Sequence, residues 1–490
     1  MKKNILLLLA FLFYSTISVI GQAGEVKRIS LDQEHGEGSI INLFSQGLVI
    51  QTSDSKQCEL MFYDENLKKD GSTKIIFEGK REYISNYYYD TLLKKIMVFH
   101  NAKKVSHLTM VGLDKKKKSI TLVPPKKYAK IDPNFVKIDK SIYTIIISKG
   151  KTLLGSVELS NGNISLIELP TEWKARTILK LSRVNDKHLA VFYLDKSVKN
   201  KKFKNIAFID DEGNVAVDKL VTNDEEDFPI EEYSLTDLGG GQIAIAGTYS
   251  STVTTSYSIG LFLAKIDDLK LSYIKYFDYN SIKNFYNFMS EKSKEKAEKK
   301  AAKNAKKGKS TKYLAVTHPV INVDGKLIVT AEFYYPTYRT ESYTTYVNGK
   351  PTTSYRTVFD GFQYTHTMVL GISEEGEKEY EHCIPFYLDH KPWYPTQKLK
   401  RRISNEEIKY SYISSNKIYS FSIANGDLKD YDPKTLVEVD EDKKLKSTFS
   451  SIDSWYDNYF YAKTGQTTKE KGKLIGGKET KYYLIKYNIE

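Results

Sequence analysis

The stretch His188–Val221, HLAVFYLDKSVKNKKFKNIAFIDDEGNVAVDKLV, decides the fold. Its β-branched and aromatic runs are separated first by a lysine-rich connection and then by the polar turn Asp211-Glu212-Gly213-Asn214. That is a strand, connection, strand, turn, strand pattern. The first strand, Leu189–Leu194, is apolar at successive positions, so both of its faces should be covered.

The same unit recurs along most of the chain. First strands begin near residues 47, 92, 141, 188, 242, 326, 417 and 458, and a further candidate strand precedes many of them, as at Ile178–Val184 and Glu231–Leu238. Each unit therefore has four strands. The last unit stops one strand short, and the otherwise isolated Val26–Leu31 is the piece that completes it. These features predict an all-β fold over residues 22–490: a single β-propeller, with eight blades in preference to seven, its ring closed by the N-terminal strand. A sandwich would leave one face of each strand in water, whereas Ile142–Ile147 and Ile243–Ala246 are apolar on both faces. Two smaller β domains divided near residue 280 are the remaining alternative.

Lys2 and Lys3 precede the apolar run Ile5–Ile20, and Val19 and Gly21 have the small-residue layout of a cleavage site. Residues 1–21 are read as a cleaved secretory signal, because the strongly apolar part stops at Tyr14, short of the roughly 20 residues a span needs. No later stretch is long and apolar enough to cross a membrane. Two cysteines far apart in the unit order, Cys58 and Cys383, are expected to be free buried thiols. The net charge of +13 comes mostly from lysine. Lysines in turns such as Lys115–Lys118 fit a solvated surface with protected strand edges. Nucleic acid is not expected as a partner, since bidentate phosphate and base contacts favour arginine, which is scarce.

Three interruptions break the unit. Residues 280–312 include NFYNFMSEKSKEKAEKKAAKNAKKGK, read as a charged helix capped by Asn280 or Ser281, anchored by Phe285, Phe288 and Met289 and solvated beyond. Residues 334–362 center on Asn348-Gly349, a strong two-residue hairpin signal. Pairing about that turn sets Thr345 opposite Thr352, Thr344 opposite Thr353, Glu341 opposite Arg356 and Thr340 opposite Thr357, which suits cross-strand chemistry. A long β-hairpin should therefore project from the sixth unit, decorated by Tyr338, Tyr343, Tyr346 and Tyr355, a residue type favored at interfaces. Residues 387–403, YLDHKPWYPTQKLKRRI, read as a loop carrying Trp393, Tyr394, Arg401 and Arg402. These eight residues are the candidate partner-binding set.

Signatures of catalysis are missing. There is no P-loop, dinucleotide glycine motif, nucleophile elbow or HExxH. His382, Asp389 and His390 lack compact metal-ligand spacing. Asp210–Asn214 is too short for an EF-hand loop. Glu332, the one carboxylate inside the apolar run KLIVTAEFYY, is the single catalytic candidate, and a propeller glycosidase would need a second carboxylate facing it. No cofactor and no metal are expected.

The composition rich in lysine, tyrosine and asparagine, Val19-Ile20-Gly21 before Gln22, and the degenerate units resemble exported β-propeller-like proteins of Bacteroidota. The resemblance spans the mature chain and carries no catalytic residue over. Substrates of the type IX secretion system in those bacteria usually end in a separate β-sandwich sorting domain, whereas this chain ends on the strand TKYYLIKYNIE, which implies a periplasmic resident. A further resemblance is to periplasmic subunits that plug or accompany the outer-membrane translocon of that system. The expected function is non-enzymatic binding of a protein partner in the cell envelope. Glycan binding or cleavage in a central channel is the alternative.

Overall fold

The computed structural model describes residues 23–77, 82–102, 105–124, 130–138, 141–170, 173, 176–196, 203–210, 212–218, 228–251, 257–347, 350–404, 406–441, 443–470 and 478–489. The expected signal at 1–21, the Asn348-Gly349 turn and Asp211 lie outside the described residues.

The described residues are almost all β and form eight antiparallel sheets, an arrangement consistent with a β-propeller. In chain order the first sheet holds Ser39–Asn42, Leu48–Ser53, Gln57–Tyr63 and Lys69–Ile76, and the second Glu82–Asp90, Lys95–Ala102, Val105–Gly112 and Lys117–Leu122. The third holds Lys130–Ile138, Ser141–Ser148, Lys151–Val157 and Ile164–Leu166, and the fourth Arg176–Arg183, His188–Asp195, Phe203–Asp210 and Val215–Val217. The fifth holds Ile230–Gly239, Gln242–Tyr249, Gly260–Asp267 and Lys270–Asp278. In the sixth, Leu314–Thr317, Lys326–Val347, Lys350–Ile372 and Lys378–Pro385 are joined by Ile321–Val323 as a fifth strand. The seventh holds Lys400–Ser404, Glu407–Ser414, Lys417–Ala424 and Asp427–Thr435. The eighth runs Ala23–Leu31, Glu479–Ile489, Tyr459–Glu470 and Lys443–Ser454, so the N-terminal strand does complete the last unit, with Arg28 opposite Ile485.

In the seventh sheet the chain turns at Asn425-Gly426, both with positive φ (51° and 86°), and Pro433 sits inside the outermost strand, at its register shift. Asn-Gly suits a tight hairpin, and an edge strand tolerates proline because its outward N–H has no ladder partner to lose. The leading strand of the same sheet, Lys400–Ser404, takes up the end of what reads in sequence as a loop.

Contacts divide the chain into two units, residues 1–49, 62–70 and 399–490, and residues 50–61 with 71–398. Within the larger unit, consecutive sheets from second to sixth share hydrophobic clusters. The Gln242–Tyr249 strand shows why. Ile243 and Ile245 enter the cluster shared with the fourth sheet, while Ala244 and Ala246 enter the one shared with the sixth. Alternating side chains of one strand thus serve two cores. In the smaller unit Ile413, Ile418, Phe460, Ala462 and Ile485 join the seventh and eighth sheets.

Cys58 and Cys383 are free thiols, each pushed up to about 12 by burial. If both faces of the Gln242–Tyr249 strand are covered, Ile245→Ala costs about 2–5 kcal/mol by leaving a cavity, and Ala244→Leu costs about 1–3 kcal/mol by overfilling the opposite core. Urea midpoints measure both; an unchanged midpoint for either variant would contradict two-sided burial.

Candidate functional site: the hairpin and strap of the sixth sheet

The first two interruptions and the start of the third, up to Lys398, gather on the sixth sheet. The hairpin pairs Lys326–Val347 with Lys350–Ile372 in the register expected from sequence, with Glu341 opposite Arg356, Thr345 opposite Thr352, Thr344 opposite Thr353 and Thr340 opposite Thr357. Register shifts fall at Phe333/Tyr334 and Thr337/Tyr338. The projecting part begins just past Tyr334, where pairing with Leu314–Thr317 ends.

Beyond the second shift, alternation sorts the hairpin into two chemically different faces. One carries Arg339, Glu341, Tyr343 and Thr345, with Ser354 and Arg356 across from them. Arg339 and Arg356 each reach Glu341, at 2.8 and 2.9 Å, and Arg356 lies 5.9 Å from the Tyr343 ring centroid. These hydrogen bonds hold the Glu341 carboxyl below its ordinary range. The other face carries Tyr338, Thr340, Ser342, Thr344 and Tyr346, with Pro351, Thr353, Tyr355, Thr357 and Phe359. It has no charged residue, and all of it except Phe359 is exposed. The charged face is stapled to itself, so the uncharged face stays open. Two-stranded ribbons are marginal in water without such support.

The strap that follows the sheet, residues 386–398, supports the hairpin base. Phe386 N–H donates to Thr365 O (3.0 Å), Gln363 Nε2 to Leu388 O (3.2 Å) and Phe362 N–H to Pro392 O (2.9 Å). Lys391 pairs with Asp360 at 2.6 Å, and Trp393 meets the Phe359 ring edge-on at 5.6 Å. Gly361 has φ +98°, and a Cβ there would stand 2.5 Å from Lys391 O, so only glycine fits. Trp393 thereby extends the uncharged face. Tyr346, Tyr355, Trp393 and Tyr394 retain 73, 70, 64 and 79% of their exposure.

Glu332 is the opposite case, with 0% exposure. His318 Nε2 lies 2.6 Å from its Oε1, and the Lys398 N–H reaches Oε1 and Oε2 at 3.0 and 2.9 Å. The Tyr364 hydroxyl donates to Thr396 O (2.5 Å) and accepts from Thr396 N–H (2.9 Å); burial and then the Glu332 charge push its pKa upward. Gln397 Nε2 donates to Thr317 O (2.7 Å). In this setting the carboxylate tethers the end of the strap.

Residues 280–312 differ from expectation. Asn280 and Ser281 lie in a 3-10 turn at Tyr279–Ser281, and the α-helix is Glu291–Ala305, the charged part, with Ser290 as N-cap residue. Its small side chains let it approach the core, and Ala301 is buried. Phe285 and Phe288 lie before it, outside any α-helix, and anchor the insertion. The Phe288 and Phe333 rings sandwich His366 at 3.9 and 4.4 Å, within 6° of parallel. His366 is fully buried; its Nδ1 meets Thr365 Oγ1 at 2.9 Å and its Nε2 has no hydrogen-bond partner among the described residues. Burial holds its pKa well below the ordinary histidine value. Tyr387 OH donates to Phe288 O at 3.4 Å, joining insertion to strap.

Arg401 and Arg402 are not on the strap. They lie on the Lys400–Ser404 strand, opposite Tyr410 and Lys409, with pKa values lowered by burial. The structure therefore places Tyr338, Tyr346 and Tyr355 on the uncharged face of the hairpin, with Trp393 and its neighbor Tyr394 on the strap, whereas Tyr343 lies on the opposite, charged face and Arg401 and Arg402 are strand residues of the seventh sheet. Phe359, Asp360, Tyr364, His318 and His366 were not singled out from sequence. Only the opposite charges of Asp360 and Lys391 could have hinted at them.

No family model and no curated protein matches this chain. Solved structures with similar folds include prolyl oligopeptidase B from Galerina marginata, at 10% identity and TM-score 0.40 over 91% of this chain and 55% of that one. The Dos1 propeller gives 10% identity and TM-score 0.39, with 95% of this chain and 96% of that one covered. The polysaccharide lyase Uly1 gives 11% and 0.37, with 95% and 100% covered. A prolyl endopeptidase matches over 90% of this chain, which spans only 55% of that protein's length.

Two outcomes follow from the geometry. Glu332→Ala removes the acceptor of the Lys398 N–H, so the 396–398 amides should exchange faster by hydrogen-exchange mass spectrometry; unchanged protection would show that Glu332 does not hold the strap. For His366, the unfolded chain takes up a proton below about pH 6.5 while the fold resists it. Stability is thus full above that pH and falls as pH drops toward the lower folded pKa. His366→Phe should flatten this dependence between pH 7.5 and 5, read as urea midpoints against wild type; an equal acid loss in both would contradict the assignment.

Proposed function

We propose that this protein is a non-enzymatic, eight-bladed β-propeller, its ring closed by Ala23–Leu31, that works in the periplasm by docking a protein partner on the hairpin and strap of the sixth sheet. The partner is a component of the cell envelope, and a role plugging or accompanying an outer-membrane secretion translocon fits the resemblance noted from sequence. One observation carries the reading. In a chain with 28% charged residues, a projecting ribbon presents an exposed face of tyrosine, threonine and serine with no charge, continued by Trp393. Tyrosine and tryptophan give large contact area at low entropy cost, and charge is depleted at the center of interfaces. The ribbon is braced by Glu341, Asp360 and the strap, which reduces the ordering cost of binding.

The buried, tethered Glu332 supports this reading over glycan cleavage, which needs a carboxylate reachable by substrate. The test is site-specific photo-crosslinking from positions 346, 355 and 394 in the native cells. The expected result is one dominant envelope protein captured from all three positions, with capture from position 394 lost when residues 338–358 are replaced by a short Gly-Ser turn while the melting temperature is kept. Capture from position 394 that survives this replacement would overturn the proposal.

A further inference from the structure

The backbone of the same hairpin offers a second recognition element. Proline has no N–H, so the Tyr346–Pro351 pair cannot exchange two hydrogen bonds and must be a non-hydrogen-bonded pair. By alternation, the backbone groups of Tyr338, Thr340, Ser342, Thr344 and Tyr346 point away from the returning strand. These residues are also the uncharged side-chain row. Among the described residues, no strand pairs with that outer edge beyond Tyr334. Over Tyr338–Tyr346 the open edge is about 27 Å long at ~3.4 Å per residue.

Edges of this kind are usually blunted by lysine, proline or a bulge. Here Tyr338–Tyr346 contains no lysine and no proline, and its two charges, Arg339 and Glu341, are 2.8 Å apart. The returning strand differs: the strap lies against its base through Pro392 and Lys391, and Lys350 and Pro351 stand near its tip. The returning edge is thus obstructed at its base and its tip, and Tyr338–Tyr346 is the edge left clear along its length. Its charge is positive, with Arg339, Lys350 and Arg356 against Glu341 within Tyr338–Val358.

We propose that the outer edge of Tyr338–Tyr346 accepts an extended segment of a protein partner as an added β-strand, with an acidic side chain opposite Arg339 and uncharged β-branched or aromatic side chains beside the tyrosine–threonine row. This inference rests on the docking role of the hairpin and specifies its form. Main-chain hydrogen bonds supply affinity in such recognition, and alternate side chains supply selectivity. The exposed face of the added strand would continue the uncharged surface.

The experiment uses the full chain and two labeled ten-residue synthetic peptides of alternating threonine and valine, one carrying two glutamates and the other two lysines at the same positions. Fluorescence anisotropy should show the acidic peptide binding more tightly, by about tenfold or 1.4 kcal/mol. Ser342→Pro removes one outward N–H without touching the ladder and should weaken binding by about tenfold, whereas Ser342→Ala should stay within about twofold. Thr344→Pro repeats the test should the first variant melt early. Binding that survives both prolines, or no binding of either peptide, would overturn strand addition. If the prolines leave binding intact while a Tyr338→Ala, Tyr346→Ala, Tyr355→Ala variant abolishes it, the docking face stands and strand addition falls. A wild-type dimer that becomes a monomer on Ser342→Pro, by light scattering, would make a second copy the occupant and overturn the proposal.

Discussion

The structure depends on one constraint, that inner strands must bury both faces. In the Gln242–Tyr249 strand, neighboring residues enter different cores, and each sheet from the third to the fifth shares one cluster with the sheet before it and another with the sheet after. A sheet so placed cannot be altered on one side without the adjoining core responding, because interiors are close-packed. New surface can then be added only where the repeat is interrupted, at strand ends and turns.

The sixth sheet shows how such an addition is held. Its two long strands leave the core at Tyr334 and continue as a ribbon that would be unstable alone. Charged side chains on one face close on each other through Glu341, and the strap grips the base through Asp360, Phe362 and Gln363. Farther down, Glu332 and Tyr364 fix the strap's far end. A buried carboxylate is costly unless its oxygens are matched, and here a histidine and a backbone N–H provide the match. The polar residues of the region thus brace an uncharged surface.

Much of this was legible in the sequence. Runs such as Ile243–Ala246 carry two-sided burial in their composition, and Asn348-Gly349 together with matched threonines and the Glu341–Arg356 pair specified the hairpin register residue by residue. The helix was misplaced because Phe285, Phe288 and Met289 happen to recur at helical spacing, although their partners are His366 and other core aromatics rather than a helix groove. The roles of Glu332 and His366 depend on groups distant in sequence, such as the His318 ring, the Lys398 N–H and the Phe288 ring, which no local pattern marks. Arg401 and Arg402 read as loop residues because Pro392 and Pro395 precede them, yet β pairing resumes at Lys400.

The hairpin must be a preformed ribbon whose Tyr338–Tyr346 edge is open in the free protein. Residue-resolved hydrogen exchange measures this most directly. The amides of Arg339, Glu341, Tyr343 and Thr345, which face the returning strand, should be protected, while those of Thr340, Ser342 and Thr344 exchange at rates near those of open chain, an alternation set by the ladder. Uniformly fast exchange from Tyr338 to Tyr346, or uniform protection across it, would contradict the account.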